Sequence, residues 1–228
     1  MNKAAKDYID DFYSENIKLG FDNSKHDIFF SSLRKVEAET LSSLVKKFKP
    51  VSTLEIGLAM GASAVAIAGG KVAIGVTDPH IVLDPFQHTR AKDAGLLEIK
   101  RLGLEKAVTF YPRYSEDFLN ECFQKKQEFD FIFVDGSHTI GQAVTDVFLS
   151  DKVLKRNGII AVHDSLLFST AASIKYLIRE RDYKIVFEKD IDLRSLVRMV
   201  RYPHKLGLGY AWDVIPRIKK SVLALQKN

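Results

Sequence analysis

The chain has 228 residues, of which 46% are hydrophobic, 11% aromatic and 28% charged. This length and composition are typical of one globular domain with appendages, and they exclude an array of independent modules and a wholly disordered chain. The 34 Lys and Arg residues exceed the 29 Asp and Glu residues by only 5. Because this excess is spread along the chain, we do not expect a dedicated nucleic-acid binder.

Cysteine content and hydropathy limit the compartment and the kind of site. Cys122 is the single cysteine, so an intramolecular disulfide and a cysteine zinc cluster are excluded. No run reaches the 18 or so apolar residues of a membrane span. Asp7, Asp10 and Asp11 stand where a signal peptide needs an apolar run. We therefore expect a cytoplasmic protein without a membrane span.

The first 50 residues are predicted to be helical. Apolar residues recur at helical spacing over residues 3–18 and again over residues 32–48. We expect residues 1–50 to form an amino-terminal helical extension that acts as a substrate cap or in assembly.

From Val51 the pattern changes to short apolar runs separated by helical stretches, which is typical of a buried parallel sheet with crossover helices. The predicted strands are Ser52–Ile56, His80–Leu83, Ala107–Tyr111, Phe129–Val134 and Gly158–Val162. After a helix over residues 170–181, two further runs, Tyr183–Phe187 and Ser195–Arg201, follow without a helix between them. They predict an antiparallel hairpin.

Together these elements predict an α/β fold over residues 51–202. It is a Rossmann-like, doubly wound sheet of seven strands, mostly parallel with a carboxy-terminal antiparallel hairpin and with helices on both faces. The tail, residues 203–228, has apolar residues among basic ones and is predicted to be helical. Packing, contact with an anionic surface and assembly into a homo-oligomer are its alternative roles.

A glycine turn connects the first predicted strand to an alanine-rich helix, in the segment Glu55-Ile56-Gly57-Leu58-Ala59-Met60-Gly61-Ala62-Ser63. Glycine allows the sharp turn and the close approach of a ligand, and the helix amino terminus attracts negative or polar groups. Glu55 would repel a phosphate at this place but would attract an amine. The turn therefore favours a ligand that carries an amino group.

An acidic residue follows the next strand. Asp84 closes the run His80–Leu83 and can accept hydrogen bonds from both hydroxyls of a ribose, although Asp78 competes for that role. The combination of an amine-facing carboxylate, a glycine turn and a ribose-binding acid fits S-adenosylmethionine better than NAD, whose pyrophosphate would favour the G-x-G-x-x-G pattern.

Four segments in this order carry a family resemblance: Glu55-Ile56-Gly57 to Gly61, Asp84-Pro85-Phe86-Gln87, Phe131 to His138, and Gly158 to Asp164. Together they resemble the class I S-adenosylmethionine-dependent methyltransferases, in particular the bacterial small-molecule branch that includes macrolide sugar O-methyltransferases. The resemblance extends over about residues 50 to 200.

The resemblance implies a set of cofactor-binding residues. The glycine loop would hold the methionine end, Asp84 the ribose, and the loop after the third strand the adenine. The implied residues are Glu55, Gly57, Ala59, Gly61, Ser63, Asp84, Tyr114, Ser115 and Asp135. Many family members have glycine at the place of Ala59, so this loop departs from the common pattern there.

Four ionisable residues follow the fourth and fifth strands: Asp135, His138, His163 and Asp164. Parallel strands end at one rim of a doubly wound sheet, so we expect these side chains to converge beside the transferred methyl group. A hydroxyl acceptor must lose its proton during attack, and an imidazole with a pKa of about 6.5 suits that role. We predict His138 as the general base, with Asp135 and Asp164 as further catalytic residues.

A divalent cation is the alternative or additional means of activating the hydroxyl. The resemblance implies ligands at Asp135, His163 and Asp164, but metal-dependent members have an acid where His163 stands. That substitution weakens the case for Mg²⁺ and favours a softer ion such as manganese or iron.

The leading hypothesis is therefore an enzyme that transfers a methyl group from S-adenosylmethionine to a hydroxyl of a small molecule. One alternative is a protein that binds the cofactor, or acts in assembly, without catalysis. The other is a metal-dependent oxidising enzyme on the same fold, since two histidines and two aspartates resemble a non-haem iron set.

Overall fold

The computed structural model describes residues 4–165, 167–190 and 220–228. The chain divides into two compact units, Met1–Ser115 and Glu116–Asn228. The first unit contains α1 Ala5–Phe12, β1 Ile17–Leu19, β2 Lys25–Asp27, α2 Ile28–Ser31, α3 Lys35–Phe48, β3 Thr53–Ile56, α4 Ala62–Ala73, β4 His80–Leu83, α5 Ala94–Arg101, a 3-10 turn Glu105–Ala107 and β5 Val108–Tyr111. Beginning at the boundary residue, the second contains α6 Ser115–Gln124, β6 Phe129–Val134, α7 Ile140–Val153, β7 Leu154–His163, α8 Phe168–Glu180, β8 Tyr183–Asp190 and β9 Lys220–Lys227.

The sheet of the first unit has three parallel strands in the order β5-β4-β3. Thr53 pairs with His80, and His80 pairs with Val108, so the three strands start level and end at the same edge. All four residues of β3 are buried. A continuous buried run is typical of a parallel strand, and it brings the glycine turn after β3 to the carboxyl edge.

Helices α1 and α3 pack against α4 through glycines. A Cβ atom on Gly69 would lie 2.9 Å from Cδ2 of Tyr8, and one on Gly70 would lie 3.2 Å from Cγ1 of Val45. The small residues of α4 therefore let the amino-terminal helices approach closely. The role of residues 1–50 as a substrate cap or in assembly stays a prediction.

The helix predicted over residues 3–18 is wrong beyond Phe12, because Ile17–Leu19 and Lys25–Asp27 form an antiparallel pair of strands. The buried ammonium of Lys18 donates a hydrogen bond to the carbonyl oxygen of Phe12 and lies 3.1 Å from Oε2 of Glu98. This tertiary contact satisfies a carbonyl at the end of α1 and so competes with continuation of the helix.

The sheet of the second unit has four strands. β6 and β7 are parallel, and β9 is antiparallel to both β7 and β8. Three strands of the first unit and four of this one make the seven that the sequence predicted, mostly parallel with an antiparallel carboxy-terminal pair, so that fold class is confirmed.

The strand next to β8 is not the one that the sequence analysis predicted. Lys220–Lys227 forms it, so the prediction of a helical tail is wrong for these residues. The predicted strand Ser195–Arg201 lies outside the described residues. Val222 to Leu225 form a continuous apolar run and are completely buried, which suits an inner strand better than an amphipathic helix. In the parts of the chain that the structure describes, no helix has the length and apolar character needed to cross a membrane.

Candidate functional site

The glycine turn of the first unit connects β3 to α4 through three residues with positive φ. Gly57 has a φ of 96°, Ala59 of 45° and Gly61 of 90°. The amide of Gly57 donates to the carbonyl oxygen of Leu83 on β4 at 2.8 Å, which fixes the start of the turn. Gly61 is the N-cap of α4, so the turn leads into a helix amino terminus, where backbone N–H groups lack partners within the helix.

Helix α5 closes over the same turn. A Cβ atom on Gly61 would lie 3.0 Å from the carbonyl oxygen of Gly95, and one on Gly95 would lie 2.6 Å from the carbonyl oxygen of Ala59. Neither position has room for a side chain. Gly61 was predicted as part of the cofactor loop. Gly95 was not predicted, because the need for a glycine there comes from a tertiary contact with the turn.

Glu55 and Ser63, both predicted to bind the cofactor, contact each other in the interior. The Glu55 side chain is completely buried. Its Oε1 accepts a hydrogen bond from the Ser63 hydroxyl at 2.6 Å, and its Oε2 lies 2.8 Å from Nε2 of His80. Both oxygens of this carboxylate therefore have partners within the chain.

Asp84 follows β4 and supports the glycine turn. Its Oδ2 accepts hydrogen bonds from the amides of Leu58 and Ala59 at 3.2 and 3.1 Å, and its Oδ1 accepts from the amide of Phe86 at 2.8 Å. Asp78, the alternative ribose-binding acid, is exposed and precedes β4. Ligands bind at the carboxyl ends of parallel strands, so the position of Asp84 after β4 favours it over Asp78 as the ribose-binding acid.

An aromatic pair lies near the residues predicted to line the adenine. The rings of Phe86 and Tyr114 meet edge to face with centroids 5.9 Å apart, and the Arg90 guanidinium lies 4.1 Å from the Phe86 ring centroid. Tyr114 is about half exposed, whereas Ser115, which begins α6, is buried. Tyr114 therefore offers an aromatic surface to a planar ligand.

Gln87 is a site candidate to which the sequence analysis gave no role. The residue is completely buried, and neither its amide nitrogen nor its amide oxygen has a hydrogen-bond partner in the structure. A Cβ atom on Gly95 would lie 2.8 Å from Nε2 of Gln87, which places the amide at the α5 face of the glycine turn. A buried amide without partners costs free energy, and a ligand or water that pairs with it would recover that cost.

The second unit brings together the ionisable residues that follow β6 and β7. Val134 pairs with Val162 in parallel register, so the two strands end side by side. Asp135 and Asp164 come directly after these ends, and Asp164 has a φ of 46°. His138 follows in the loop before α7, where its carbonyl oxygen accepts a hydrogen bond from the Ser169 hydroxyl at 2.9 Å.

These side chains form a cluster. Nε2 of His138 lies 3.4 Å from Oδ2 of Asp164 and 3.7 Å from Oδ1 of Asp135, but it is buried and makes no hydrogen bond in the structure. Nδ1 of His163 lies 3.0 Å from Oδ1 of Asp135. The predicted convergence of these four residues on one another is confirmed within this unit.

The cluster is electrostatically coupled. Burial acts to raise the pKa of Asp135, but His163 and His138 outweigh it and lower the pKa to about 2. Burial also acts to lower the pKa of His138, but the carboxylates of Asp135 and Asp164 outweigh it and raise the pKa. The cluster therefore combines an ionised carboxylate with a histidine that holds its proton more tightly than usual.

The structure exchanges the roles that the sequence analysis gave to the two histidines at the candidate metal site. Asp135, His138 and Asp164 each offer one ligand atom, and these atoms lie within 4.8 Å of one another. The predicted metal set contained His163 in place of His138. In the structure the Nδ1 atom of His163 faces the carboxylate of Asp135, as expected of a residue that orients a ligand.

Comparisons with known proteins agree with this architecture. A family model described as "Methyltransferase domain" matches residues 54–165. Caffeoyl-CoA O-methyltransferase from Populus kitakamiensis is 30% identical over 138 residues, which cover 60% of this chain and 56% of that protein. The enzyme of the same name from Stellaria longipes is 26% identical over 163 residues, covering 70% and 65%. The chain thus spans less than two thirds of either relative.

A solved structure shares the fold. The O-methyltransferase from Bacillus cereus in complex with SAH aligns with a TM-score of 0.61 and 15% identity, over 86% of this chain and 83% of that one. The matched segment 54–165 begins in β3, contains the glycine turn and Asp84, and ends after Asp164. Residues 54–165 therefore belong to the methyltransferase domain family, and the chain has the fold of a class I S-adenosylmethionine-dependent methyltransferase.

Proposed function

We propose that this protein transfers the methyl group of S-adenosylmethionine to a hydroxyl group of a small molecule. The observation that carries the proposal is the glycine turn between β3 and α4, with Asp84 beside it, inside a segment that matches a methyltransferase domain. A cytoplasmic location, as the composition predicts, belongs to the same proposal.

The first unit would bind the cofactor. Backbone groups of Gly57, Ala59 and Gly61 would receive the methionine end, Asp84 the ribose, and Tyr114 with Ser115 the adenine. The buried amide of Gln87 supports a ligand at this turn, because it offers a donor and an acceptor for which the described residues provide no partner. Glu55 and Ser63 would act from behind the turn, since they bond to each other.

The second unit would activate the acceptor. The buried Nε2 of His138, near two carboxylates and without a hydrogen bond, fits a divalent cation held by Asp135, His138 and Asp164. When bound, such a cation lowers the pKa of an acceptor hydroxyl. One imidazole nitrogen with two carboxylate oxygens suits manganese, iron or another first-row ion better than Mg²⁺. Asp135 is also a candidate cofactor contact.

His138 has a different role in each version of the reaction. With a cation, its Nε2 would be a ligand atom, and His163, which lies 3.0 Å from Asp135, would orient that carboxylate. Without one, Nε2 accepts the acceptor proton as general base while the acceptor oxygen attacks the methyl carbon in line. In both versions the new oxygen–carbon bond would form as the carbon–sulfur bond breaks, and the products would be the methyl ether and S-adenosylhomocysteine. The acceptor proton would go to Nε2 of His138, or to solvent where a cation occupies that nitrogen.

The test is a transfer assay with S-adenosylmethionine labelled in its methyl group. The relatives named caffeoyl-CoA O-methyltransferase suggest caffeoyl-CoA as one acceptor, to be assayed with other catechols and with sugar hydroxyls. We expect label to enter a hydroxylated acceptor. Cofactor binding without transfer to any acceptor would favour the non-catalytic alternative, and oxidation of the acceptor would favour the oxidising one.

A further inference from the structure

A buried chain of polar side chains lies behind the glycine turn. The ammonium of Lys71 donates to the Thr53 hydroxyl at 3.1 Å, and this hydroxyl lies 2.9 Å from Nδ1 of His80. The chain continues from Nε2 of His80 to Glu55 at 2.8 Å and from Glu55 to Ser63 at 2.6 Å. It links β4, β3 and the first turn of α4.

The direction of the hydrogen bonds follows from Lys71. An ammonium has three donors and no acceptor, and this one also reaches the carbonyl oxygens of Val51 at 2.7 Å and Pro79 at 3.5 Å. The Thr53 oxygen therefore accepts from Lys71, which leaves its own proton available for Nδ1 of His80. When Nδ1 accepts that proton's hydrogen bond, a neutral imidazole carries its proton on Nε2, which lies 2.8 Å from Glu55, and this is the tautomer that the proposal requires.

Neutrality of His80 is consistent with its surroundings. Complete burial, together with the nearby charge of Lys71, lowers the pKa of His80 to about 3. Ser63 then donates to Oε1 of Glu55, and His80 faces Oε2. A contact at each oxygen restricts the orientation of the carboxylate.

We propose that His80 is a positioning residue for the cofactor site, acting through Glu55 on Ser63 and so on the amino terminus of α4. The inference rests on the proposed function, since it assumes that the turn before α4 binds the cofactor. Ser63 is the second residue of α4, and the backbone groups proposed to receive the methionine end lie just before it. A shift of Glu55 would change where these groups point, without removing any group that contacts the ligand.

The experiment compares His80→Leu, His80→Gln and Thr53→Val with the wild-type chain. Binding of S-adenosylhomocysteine is measured by isothermal titration, and KM and kcat are measured for S-adenosylmethionine. We expect His80→Leu to weaken binding about tenfold to a hundredfold, because the buried carboxylate of Glu55 loses the polar contact that His80 makes at Oε2. Thr53→Val should weaken it about two- to tenfold, and His80→Gln, whose amide can still donate to Glu55, should retain most of the affinity. KM should rise more than kcat falls.

Thr40→Val is the matched control, because within the described ranges the Thr40 hydroxyl bonds only to the carbonyl oxygen of Val36, one turn earlier in α3. It should leave the affinity unchanged. The nitrogen-15 spectrum of wild-type His80 should show the Nε2–H tautomer at neutral pH. If His80→Leu does not fold, the affinities of Thr53→Val and His80→Gln together with this spectrum still test whether His80 is a positioning residue.

Two outcomes would overturn the proposal. One is wild-type affinity for S-adenosylhomocysteine in folded Thr53→Val and His80→Leu proteins, which would make the network purely structural. The other is an Nδ1–H tautomer or an imidazolium at His80. Failure of the wild-type chain itself to bind S-adenosylhomocysteine would instead overturn the proposed function, so the two failures are distinguishable.

Discussion

At the scale of the residue, the glycine turn contains one side chain in a conformation that glycine adopts more easily. Ala59 has a φ of 45° and lies between two glycines that also have positive φ. A left-handed conformation costs an L-residue about 1 to 2 kcal/mol, more than the entropy that glycine loses on folding. The departure from the family pattern at this position therefore has an energetic cost.

Ala59→Gly should raise the free energy of unfolding by about 0.5 to 1 kcal/mol, because the strain is relieved. Urea unfolding measures the difference. Gly57→Ala, which adds a side chain at a φ of 96°, serves as the opposite control and should destabilise the protein. A loss of stability in Ala59→Gly would contradict the strain assigned to Ala59.

His80 gives the protein a specific acid sensitivity. Burial and the nearby charge of Lys71 lower its pKa to about 3 in the folded protein, whereas in an unfolded chain it is about 6.5. Between these values the unfolded chain binds a proton that the folded chain does not. The free energy of unfolding should therefore fall as the pH falls below about 6.5, by up to about 1.4 kcal/mol per pH unit.

The check is urea unfolding of wild type and His80→Gln between pH 6.5 and 4.5. The variant lacks this titration, so its stability should fall less steeply with acid, while the carboxylates that titrate in both proteins cancel in the comparison. Parallel curves for the two proteins would show that His80 is not buried in its neutral form.

At the scale of the element, β9 is fixed to the second unit by a buried carboxylate. Asp151 accepts hydrogen bonds from the Tyr183 hydroxyl at 2.8 Å and Nε of Arg181 at 2.7 Å, and Nζ of Lys227 lies 3.3 Å from its Oδ1. These contacts join α7, β8 and β9. Burial together with the charge of Asp151 raises the pKa of Tyr183, so its hydroxyl stays a donor.

Tyr183→Phe should lower the free energy of unfolding by about 1.5 to 3 kcal/mol, because a hydrogen bond to a buried charge is lost. Tyr176→Phe is the comparison, since Tyr176 lies within electrostatic range of Asp151 and its ring packs against Phe148, but no hydrogen bond to Asp151 is seen for it among the described residues. Thermal or urea unfolding measures both. Equal small effects of the two substitutions would mean that Asp151 does not depend on Tyr183.

Strands with strong local patterns could be predicted from the sequence, and elements fixed by distant contacts could not. Phe129–Val134 was predicted with its observed bounds, because five of its six residues are strand formers and a turn signal, Asp135-Gly136, follows it. The end of α1 depends on Lys18, and the strand at Lys220–Lys227 depends on β7 and β8 as neighbours. Neither dependence is visible in local periodicity.

The residues of the candidate site also fall into those that the sequence could predict and those that depend on tertiary contacts. Strand order and glycine spacing predicted Gly57, Gly61, Asp84 and the four residues of the second unit at the carboxyl ends of strands, and their roles in binding and catalysis stay predictions. The pairing of His80 with Glu55, the buried amide of Gln87 and the choice of His138 as the third ligand-type residue require side-chain positions, which strand order does not give. The single signal for His80 was a polar residue at the start of an otherwise apolar strand.

At the scale of the whole molecule, the proposed reaction needs a cofactor site in the first unit and acceptor activation in the second. These needs can be tested separately. Asp84 and Gln87 belong to the first, and Asp135, His138 and Asp164 to the second. A variant of Asp84 or Gln87 should leave acceptor activation intact, and a variant of His138 or Asp164 should leave cofactor binding intact.

Chelation followed by dialysis should abolish methyl transfer, and Mn²⁺ or Fe²⁺ should restore more activity than Mg²⁺. Asp164→Asn should weaken the response to metal without changing the affinity for S-adenosylhomocysteine by more than about twofold. Metal content by mass spectrometry and transfer assays check this. Full activity in metal-free protein, lost in His138→Ala, would instead assign His138 as the general base.

The most direct measurement is isothermal titration of the wild-type chain with S-adenosylhomocysteine, alongside NAD, Asp84→Ala and the control Asp78→Ala. The account predicts a Kd in the micromolar range, about −8 kcal/mol, for the wild type and Asp78→Ala, at least tenfold weaker binding for Asp84→Ala, and no binding of NAD. Binding of NAD in place of the adenosyl ligand, or no binding of S-adenosylhomocysteine or S-adenosylmethionine, would contradict it.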